Sequence, residues 1–229
     1  MKVGVVIPAA GQGKRMRTKT SKQFLMLENK PILIHTLLVF ESHPDIDEIV
    51  VVTQAKELEE TQKWIRQYQL SKVTYVLQGG KERQDSVYEG LQMMKADLVL
   101  VHDAVRPFVS HDAIDRILEA VKMHGAAILA VPVKDTIKQV DQAGIVEMTP
   151  DRNRLWAVQT PQAFRYQLLW EAHKQAKEQQ ILATDDSMLV EELGIDVRVV
   201  MGEYTNLKLT TPEDLFLAEI IYKARSQSE

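Results

Sequence analysis

Short apolar runs rich in β-branched residues recur along the chain at Lys2–Pro8, Glu48–Thr53, Val73–Leu77, Leu98–His102, Ala127–Val133 and Val197–Met201, each bounded by Gly, Pro or charged residues. They are apolar almost throughout rather than alternately, and so predict strands buried on both faces. The stretches between them carry apolar residues at helical spacing and predict helices over Pro31–Ser42, Lys56–Tyr68, Glu82–Met94 and Ser110–His124. The first has a Pro in its first turn and the last is opened by a capping Ser. This alternation is the pattern of a mainly parallel sheet with helices on both faces, and such sheets bind ligands at the carboxyl ends of their strands.

Two more helices are predicted at Phe164–Gln180 and Thr211–Ala224. The second begins Thr211-Pro212-Glu213-Asp214, a cap, a first-turn Pro and two acids set against the helix dipole, so this end of the chain is expected to be packed. Residues Lys134–Pro150 break the alternation: two polar–apolar runs flank Asp141-Gln142-Ala143-Gly144 and predict a projecting hairpin. Its unpaired edges would suit cover by a partner chain, and would equally suit an ordinary surface arm. No repeat, low-complexity run or linker divides the 229 residues, so one domain over 1–229 is expected, with 134–150 as a β-arm.

Composition narrows the chemistry. Hydrophobic residues make up 45% and charged residues 26%, ordinary globular usage. With 28 Lys and Arg against 32 Asp and Glu, the net charge of -4 creates no global field for nucleic acid or anionic lipid, so any anion must meet a local basic site. The absence of cysteine excludes disulfides, thiolate metal centres and thiol nucleophiles, and points to a reducing compartment. The apolar run Val3–Ile7 is too short for a signal-peptide core and no stretch reaches membrane-spanning length, so a cytoplasmic protein without a membrane partner is expected.

Candidate chemistry sits where predicted strands end. After the first come Pro8-Ala9-Ala10-Gly11-Gln12-Gly13-Lys14-Arg15-Met16, small residues and then cations. Gly11 and Gly13 would let backbone N–H groups approach a polyphosphate, with Lys14, Arg15 and Lys22 around it; a glycine-rich turn with solvated cations would look the same. The spacing fits neither a Walker A loop nor the dinucleotide fingerprint. At the end of the fourth strand, in His102-Asp103-Ala104-Val105-Arg106-Pro107, Asp103 could hold a magnesium ion, its waters or a sugar hydroxyl, or could cap a turn, and Arg106 could pair with a phosphate. His102 reads as a buried, hydrogen-bonded core histidine.

Gly79-Gly80 after the third strand could present backbone groups to the edge of a base, with Ser86 adding a hydroxyl, or could make a tight turn; Arg83 and Asp85 read as a surface pair. Asp151–Trp156 and Gln159–Gln162 flank a further strand and are denser in polar groups than a surface loop requires, and Arg152 and Thr160 could receive a phosphate. Thr184-Asp185-Asp186 reads as a helix cap with dipole-matching acids rather than as a metal pair. Lys208 could be snorkelling or catalytic. Trp64, Trp156 and Trp170 are not interleaved with a basic stripe and read as core, not as stacking platforms, so no nucleic-acid partner is expected.

Taken together, Pro-Ala-Ala-Gly-x-Gly-x-Arg-Met, Lys22-Gln23-Phe24, Val-His-Asp-Ala-Val-Arg-Pro, Asp-Arg-Asn-x-Leu-Trp and Gln-Thr-Pro-Gln resemble, end to end, the 2-C-methyl-D-erythritol 4-phosphate cytidylyltransferases of the non-mevalonate isoprenoid route. Ribitol-5-phosphate cytidylyltransferases share most of these motifs, and the Asp151–Trp156 run tips the choice towards methylerythritol phosphate. The resemblance implies a Rossmann-like, mostly parallel twisted sheet with helices on both faces and a β-arm that interlocks a homodimer. It implies cytidylyl transfer from CTP to a sugar-alcohol phosphate, with Mg2+ held mainly by the CTP phosphates and no protein metal cage.

By position, the resemblance implies that Arg15 and Lys22 stabilise charge on the attacked phosphate. Pro8, Ala9, Ala10, Gly11 and Gly13 would line the nucleotide, Gly80 and Ser86 would read the cytosine, and Asp103 and Ala104 would lie by the ribose and metal region. Arg106, Thr136, Arg152, Thr160 and Lys208 would surround the sugar phosphate, Thr136 and Arg152 coming from the partner. Lys14 falls at a variable place, and Lys81 stands where the family often has Asp.

Overall fold

The computed structural model describes residues 1–11 and 21–226. Its centre is a seven-stranded sheet built from β1 (Val3–Pro8), β4 (Glu48–Thr53), β5 (Val73–Gln78), β6 (Leu98–Val101), β7 (Ala126–Pro132), β10 (Trp156–Arg165) and β11 (Arg198–Met201), in the order β11-β7-β10-β6-β1-β4-β5. β1 pairs in parallel with β4 and β6, β4 with β5, and β11 with β7, whereas β10 runs antiparallel between β6 and β7. The sheet is therefore mostly parallel, as expected, with one reversed strand. That strand is longer than the sequence pattern indicated: it takes in Gln159–Gln162 and Phe164, and its pairing with β7 shifts register between Val158 and Gln162.

Alternate side chains of the central strands point to opposite faces, which is why those strands are apolar throughout. On one face Val5, Ile7, Ile49 and Val51 meet α1 (Ile32–Ser42), α2 (Leu58–Gln67) and α4 (His111–His124). On the other, Val6, Val50, Val99 and Val101 meet α3 (Arg83–Met93), α5 (Tyr166–Gln179) and α6 (Asp186–Glu191). The outermost strands depart from the expectation of full burial: β5 and β11 are edges, and Tyr75, Val199 and Met201 are exposed. α4 opens with the Ser110 hydroxyl accepting the Ala113 N–H and ends at Gly125 with φ 85°, a left-handed cap.

Met26–Leu27 (β2) and Lys30–Pro31 (β3) form a small hairpin turned by Glu28 and Asn29, both at positive φ, which the sequence pattern did not reveal. α7 (Pro212–Ser226) packs through Ala218 against Leu27, Ile32 and Leu209, so one side of the last helix is covered. The arm carries β8 (Gln139–Val140) and β9 (Val146–Met148), paired antiparallel to each other outside the main sheet, and residues 134–149 are exposed. Among the described residues, no helix is long and apolar enough to cross a membrane.

Candidate active site

The chain leaves β1 on one side to build β4 and β5 and returns on the other side as β6, so the sheet's direction of growth switches between β1 and β6. A crevice opens outside the carboxyl ends of strands at such a point. Here such a cleft lies outside the ends of β1, β5 and β6. Pro8, Ala9, Ala10 and Gly11 line one wall. Gly80 comes from the β5–α3 connection and Ser86 from the first turn of α3, and Asp103 and Ala104 from the end of β6. Lys22 and Lys208 bring ammonium groups from two further segments. Gly13 and Arg15 lie outside the described residues.

Close backbone approach shapes the cleft. A Cβ on Gly79 would lie 2.7 Å from Ala10 Cβ and 2.6 Å from Ser86 Oγ, so only glycine lets the β5 loop pass this near the β1 loop. The β1 loop is itself anchored by Ala9 N–H donating to Val52 O at 2.6 Å.

Asp103 is the electrostatic centre. Its carboxylate lies 2.7 Å from Lys208 Nζ, 3.2 Å from Arg83 Nε and 3.6 Å from Arg106 Nε. Burial alone would raise its pKa; the cations Arg83, Lys208 and Arg106 overcome this and hold the carboxyl well below the usual carboxylate range. Arg83 is not the partner of Asp85, contrary to the expected surface pair. It bridges Asp103 and, at 2.6 Å, the buried Asp186, while Asp85 accepts the Glu82 N–H at the start of α3. Burial works against charge on Arg83, but Asp186 and Asp103 more than restore it and raise its pKa.

The cap reading of Thr184-Asp185-Asp186 is half of the picture: Asp185 does cap α6 by accepting the Met188 N–H, but Asp186 also accepts from Arg83 and from His173 Nε2 at 3.0 Å. Sequence reasoning missed this link, and no spacing rule joins residues 103 positions apart.

Arg106 and Thr160 lie beneath the cleft rather than along it. Arg106 donates to Asn206 O at 2.7 Å, and Asn206 Nδ2 donates to Thr160 O at 2.9 Å, which seats the 206–208 segment and delivers Lys208 to Asp103. The Thr160 hydroxyl accepts the Asp103 N–H at 3.0 Å. His102 is buried, as expected. Its Nε2 lies 3.0 Å from Arg106 O, a carbonyl that can only accept, so Nε2 carries the hydrogen and Nδ1 is left to accept from Thr160. Burial pushes the His102 pKa down to about 4.

Gln159 and Gln162 explain the polar density of their segment. Gln159 donates to Glu203 O at 2.8 Å, and Gln162 Oε1 accepts from the N–H groups of Asp186 and Ser187. Thr136 and Arg152 are exposed on the arm and at its base and do not line the cleft of their own chain; Arg152 donates to Lys134 O at 2.9 Å. Trp64 and Trp170 pack against the two cores, but Trp156 is 38% exposed at the start of β10, so the core assignment fails there. Among the described residues no group of three or more His, Asp or Glu side chains is arranged to hold a metal ion.

The family model of 2-C-methyl-D-erythritol 4-phosphate cytidylyltransferase matches residues 3–224. Proteins of that name from Bacillus velezensis and Halalkalibacterium halodurans are 52% and 51% identical to this chain, over 99% and 96% of it and 98% and 97% of their own lengths. The solved 4-diphosphocytidyl-2C-methyl-D-erythritol synthase of Anaerococcus prevotii is similar with a TM-score of 0.86 at 32% identity, covering 97% of this chain and 96% of that one. The 2-C-methyl-D-erythritol 4-phosphate cytidylyltransferase structure from Thermus thermophilus gives 0.82 at 37% identity, covering 97% and 100%.

Proposed function

The chain belongs to the 2-C-methyl-D-erythritol 4-phosphate cytidylyltransferase family, and we propose that the cleft at the β1/β6 switch point carries out the family's reaction through the residues gathered there. The enzyme transfers the cytidylyl group of CTP to the phosphate of 2-C-methyl-D-erythritol 4-phosphate, giving 4-diphosphocytidyl-2-C-methyl-D-erythritol and pyrophosphate in isoprenoid precursor biosynthesis. A phosphate oxygen attacks the α-phosphorus as the α–β bridging bond breaks. A phosphate monoester is already substantially ionised at neutral pH, so the nucleophile needs no general base. This agrees with a cleft lined by Lys22, Lys81, Arg83 and Lys208, behind which His102 is buried and neutral.

Charge stabilisation then carries the rate. On this reading Arg15 and Lys22 meet the negative charge that builds on the α-phosphate, a task in which deleting one donor costs about 10²- to 10³-fold. Pro8, Ala9, Ala10, Gly11 and Gly13 cradle the triphosphate, Gly80 and Ser86 read the cytosine, and Asp103 and Ala104 face the ribose. Lys208 receives the acceptor phosphate directly, and Arg106 supports it from the floor of the cleft through Asp103 and Asn206 O. Thr160, whose hydroxyl is engaged by the Asp103 N–H, supports that pocket from below.

Magnesium fits as a companion of the triphosphate rather than as an ion caged by protein, because both oxygens of Asp103 already face cations. When bound, it neutralises triphosphate charge, and Asp103 is the carboxylate that would meet its waters. A homodimer completes the site. The arm exposes Val140, Ile145, Val146 and Met148, an apolar surface that a second arm would cover, bringing Thr136 and Arg152 to the neighbouring cleft.

The observation that carries the assignment is the convergence of Pro8–Gly11, Lys22, Gly80, Asp103 and Lys208 on one cleft. The test is pyrophosphate release with CTP and magnesium, comparing methylerythritol 4-phosphate with ribitol 5-phosphate and CTP with UTP and ATP. Release is expected with CTP and methylerythritol phosphate. A preference for ribitol phosphate would overturn the acceptor assignment, and no release from folded protein would overturn the reaction.

A further inference from the structure

Lys22 belongs to a 3-10 turn of three residues, Lys22–Phe24, an element too short to fix a side chain by itself. What holds the turn is a buried carboxylate from a distant element. Glu57, 5% exposed, ends the 3-10 turn Ala55–Glu57 that follows β4. One of its oxygens accepts the hydroxyl of Ser21, and the other accepts Gln23 Nε2 at 2.9 Å and Thr53 Oγ1 at 3.2 Å. The residues on either side of Lys22 are thus tied to the same carboxylate. Gln23, 1% exposed, also donates to Ala9 O at 2.8 Å, which fastens the turn to the wall of the cleft. Glu57 is in turn held from behind: Thr61 Oγ1 donates to its carbonyl at 2.7 Å and its own N–H donates to Gln54 O at 2.9 Å.

A carboxylate is costly to bury unless donors satisfy it, and here the donors come from both flanks of a cleft lysine and from β4. We propose that Glu57 is a positioning residue for cytidylyl transfer: it clamps Ser21 and Gln23 so that the lysine between them presents its ammonium to the reacting phosphate. The inference rests on the proposed role of Lys22. Misplacing a charged donor by about 1 Å can cost about 10²-fold, so the clamp bears on kcat rather than on substrate binding alone.

The test is a double-mutant cycle on the whole enzyme, with kcat and both KM values measured for Lys22→Ala, Glu57→Ala and the double variant. Thermal melts confirm that each is folded. Ser21→Ala serves as a milder break of one tether should Glu57→Ala fail to fold. Glu57→Ala is expected to lower kcat by about 10- to 100-fold in the native background and by less than about 2-fold when Lys22 is already Ala. Glu57→Gln should restore most of the rate, because its carboxamide oxygen can face Gln23 and Thr53 while its NH2 donates to Ser21. Equal losses in both backgrounds would overturn the proposal, since Glu57 would then act by another route. An unimpaired Lys22→Ala would instead overturn the role of Lys22 and the clamp with it, so the two failures are distinguishable.

Discussion

Replacing Asp103 by Asn removes one negative charge where three cations converge, at 2.7, 3.2 and 3.6 Å, and leaves size and one acceptor oxygen unchanged. The Asp103 side chain is 9% exposed, so water cannot take over its role. Removing one partner of a buried pair costs about 3–5 kcal/mol. Lys208 and Arg83 are more exposed, at 37% and 29%, and their partial hydration brings the expected cost to about 2–3 kcal/mol. For a domain of this length that is a fall in Tm of about 4–12 °C.

The pH dependence gives a sharper signature. The folded-state pKa of Asp103 is depressed, so its stabilisation is fully present above the unfolded value of about 3.9 and is lost as the pH falls below it. Urea unfolding of native and Asp103→Asn protein should therefore show a constant gap between about pH 5 and 8, narrowing by about 1.3 kcal/mol at pH 3 as the native unfolded state takes up a proton. Coincident midpoints at pH 7 would refute the charge argument. A gap that does not narrow in acid would assign the loss to packing instead.

Lys22→Ala should lower kcat by about 10²- to 10³-fold while leaving the thermal midpoint within about 2 °C, as expected for a residue that supports charge rather than core; parallel loss of activity and stability would refute the role. Gly79→Ala should raise KM for CTP, because the new methyl pushes Ala10 and Ser86 apart across the cleft, and initial-rate kinetics at saturating acceptor would show it. His102 stays neutral in the fold down to about pH 4 while the unfolded chain takes a proton near pH 6.5. Native stability should thus fall between those values by about 3 kcal/mol, and His102→Gln should flatten that slope in urea titrations. If Arg152 serves the partner's cleft, mixing Lys22→Ala and Arg152→Ala proteins, each nearly inactive, should restore up to about a quarter of native activity through one intact site per mixed dimer.

The strand ends were legible because two rules act together: apolar runs mark central strands, and the switch-point rule says which loops meet. These rules put Pro8–Gly11 and Asp103 at the carboxyl edge of the sheet, and it is the family resemblance that brings them to one cleft. β10 was harder to read. Its Gln159-Thr160-Pro161-Gln162 run carries the residues of a loop, yet it crosses the middle of the sheet because both glutamines spend their amides on neighbouring backbone. Arg83, Asp186 and Glu57 were misassigned or passed over for a different reason: their partners lie on other elements, and local spacing carries no information about contacts that only the tertiary fold creates. Helix caps, by contrast, are local: Ser110 accepts the N–H expected of it, and the cap of α6 falls at Asp185, within the run that signalled it.

These long-range ties also resolve how a chain of net charge -4 meets two polyanions. Arg83 is pinned between two carboxylates, and Arg106 between Asp103 and the carbonyl of Asn206, so both shape the floor of the cleft without being free to leave it. Lys208 is placed differently: its segment is anchored through Asn206 and Leu209, while its 37%-exposed side chain reaches Asp103 across the open cleft. If Lys208 receives the acceptor phosphate as proposed, the arriving anion exchanges one anionic partner of that ammonium for another, and does not have to strip a fully hydrated lysine or order a wandering one. Electrostatic preorganisation of this kind supplies stabilisation without reorganisation at the moment of reaction, and on the proposed reading Asp103 provides it by holding the Lys208 ammonium ready in the cleft.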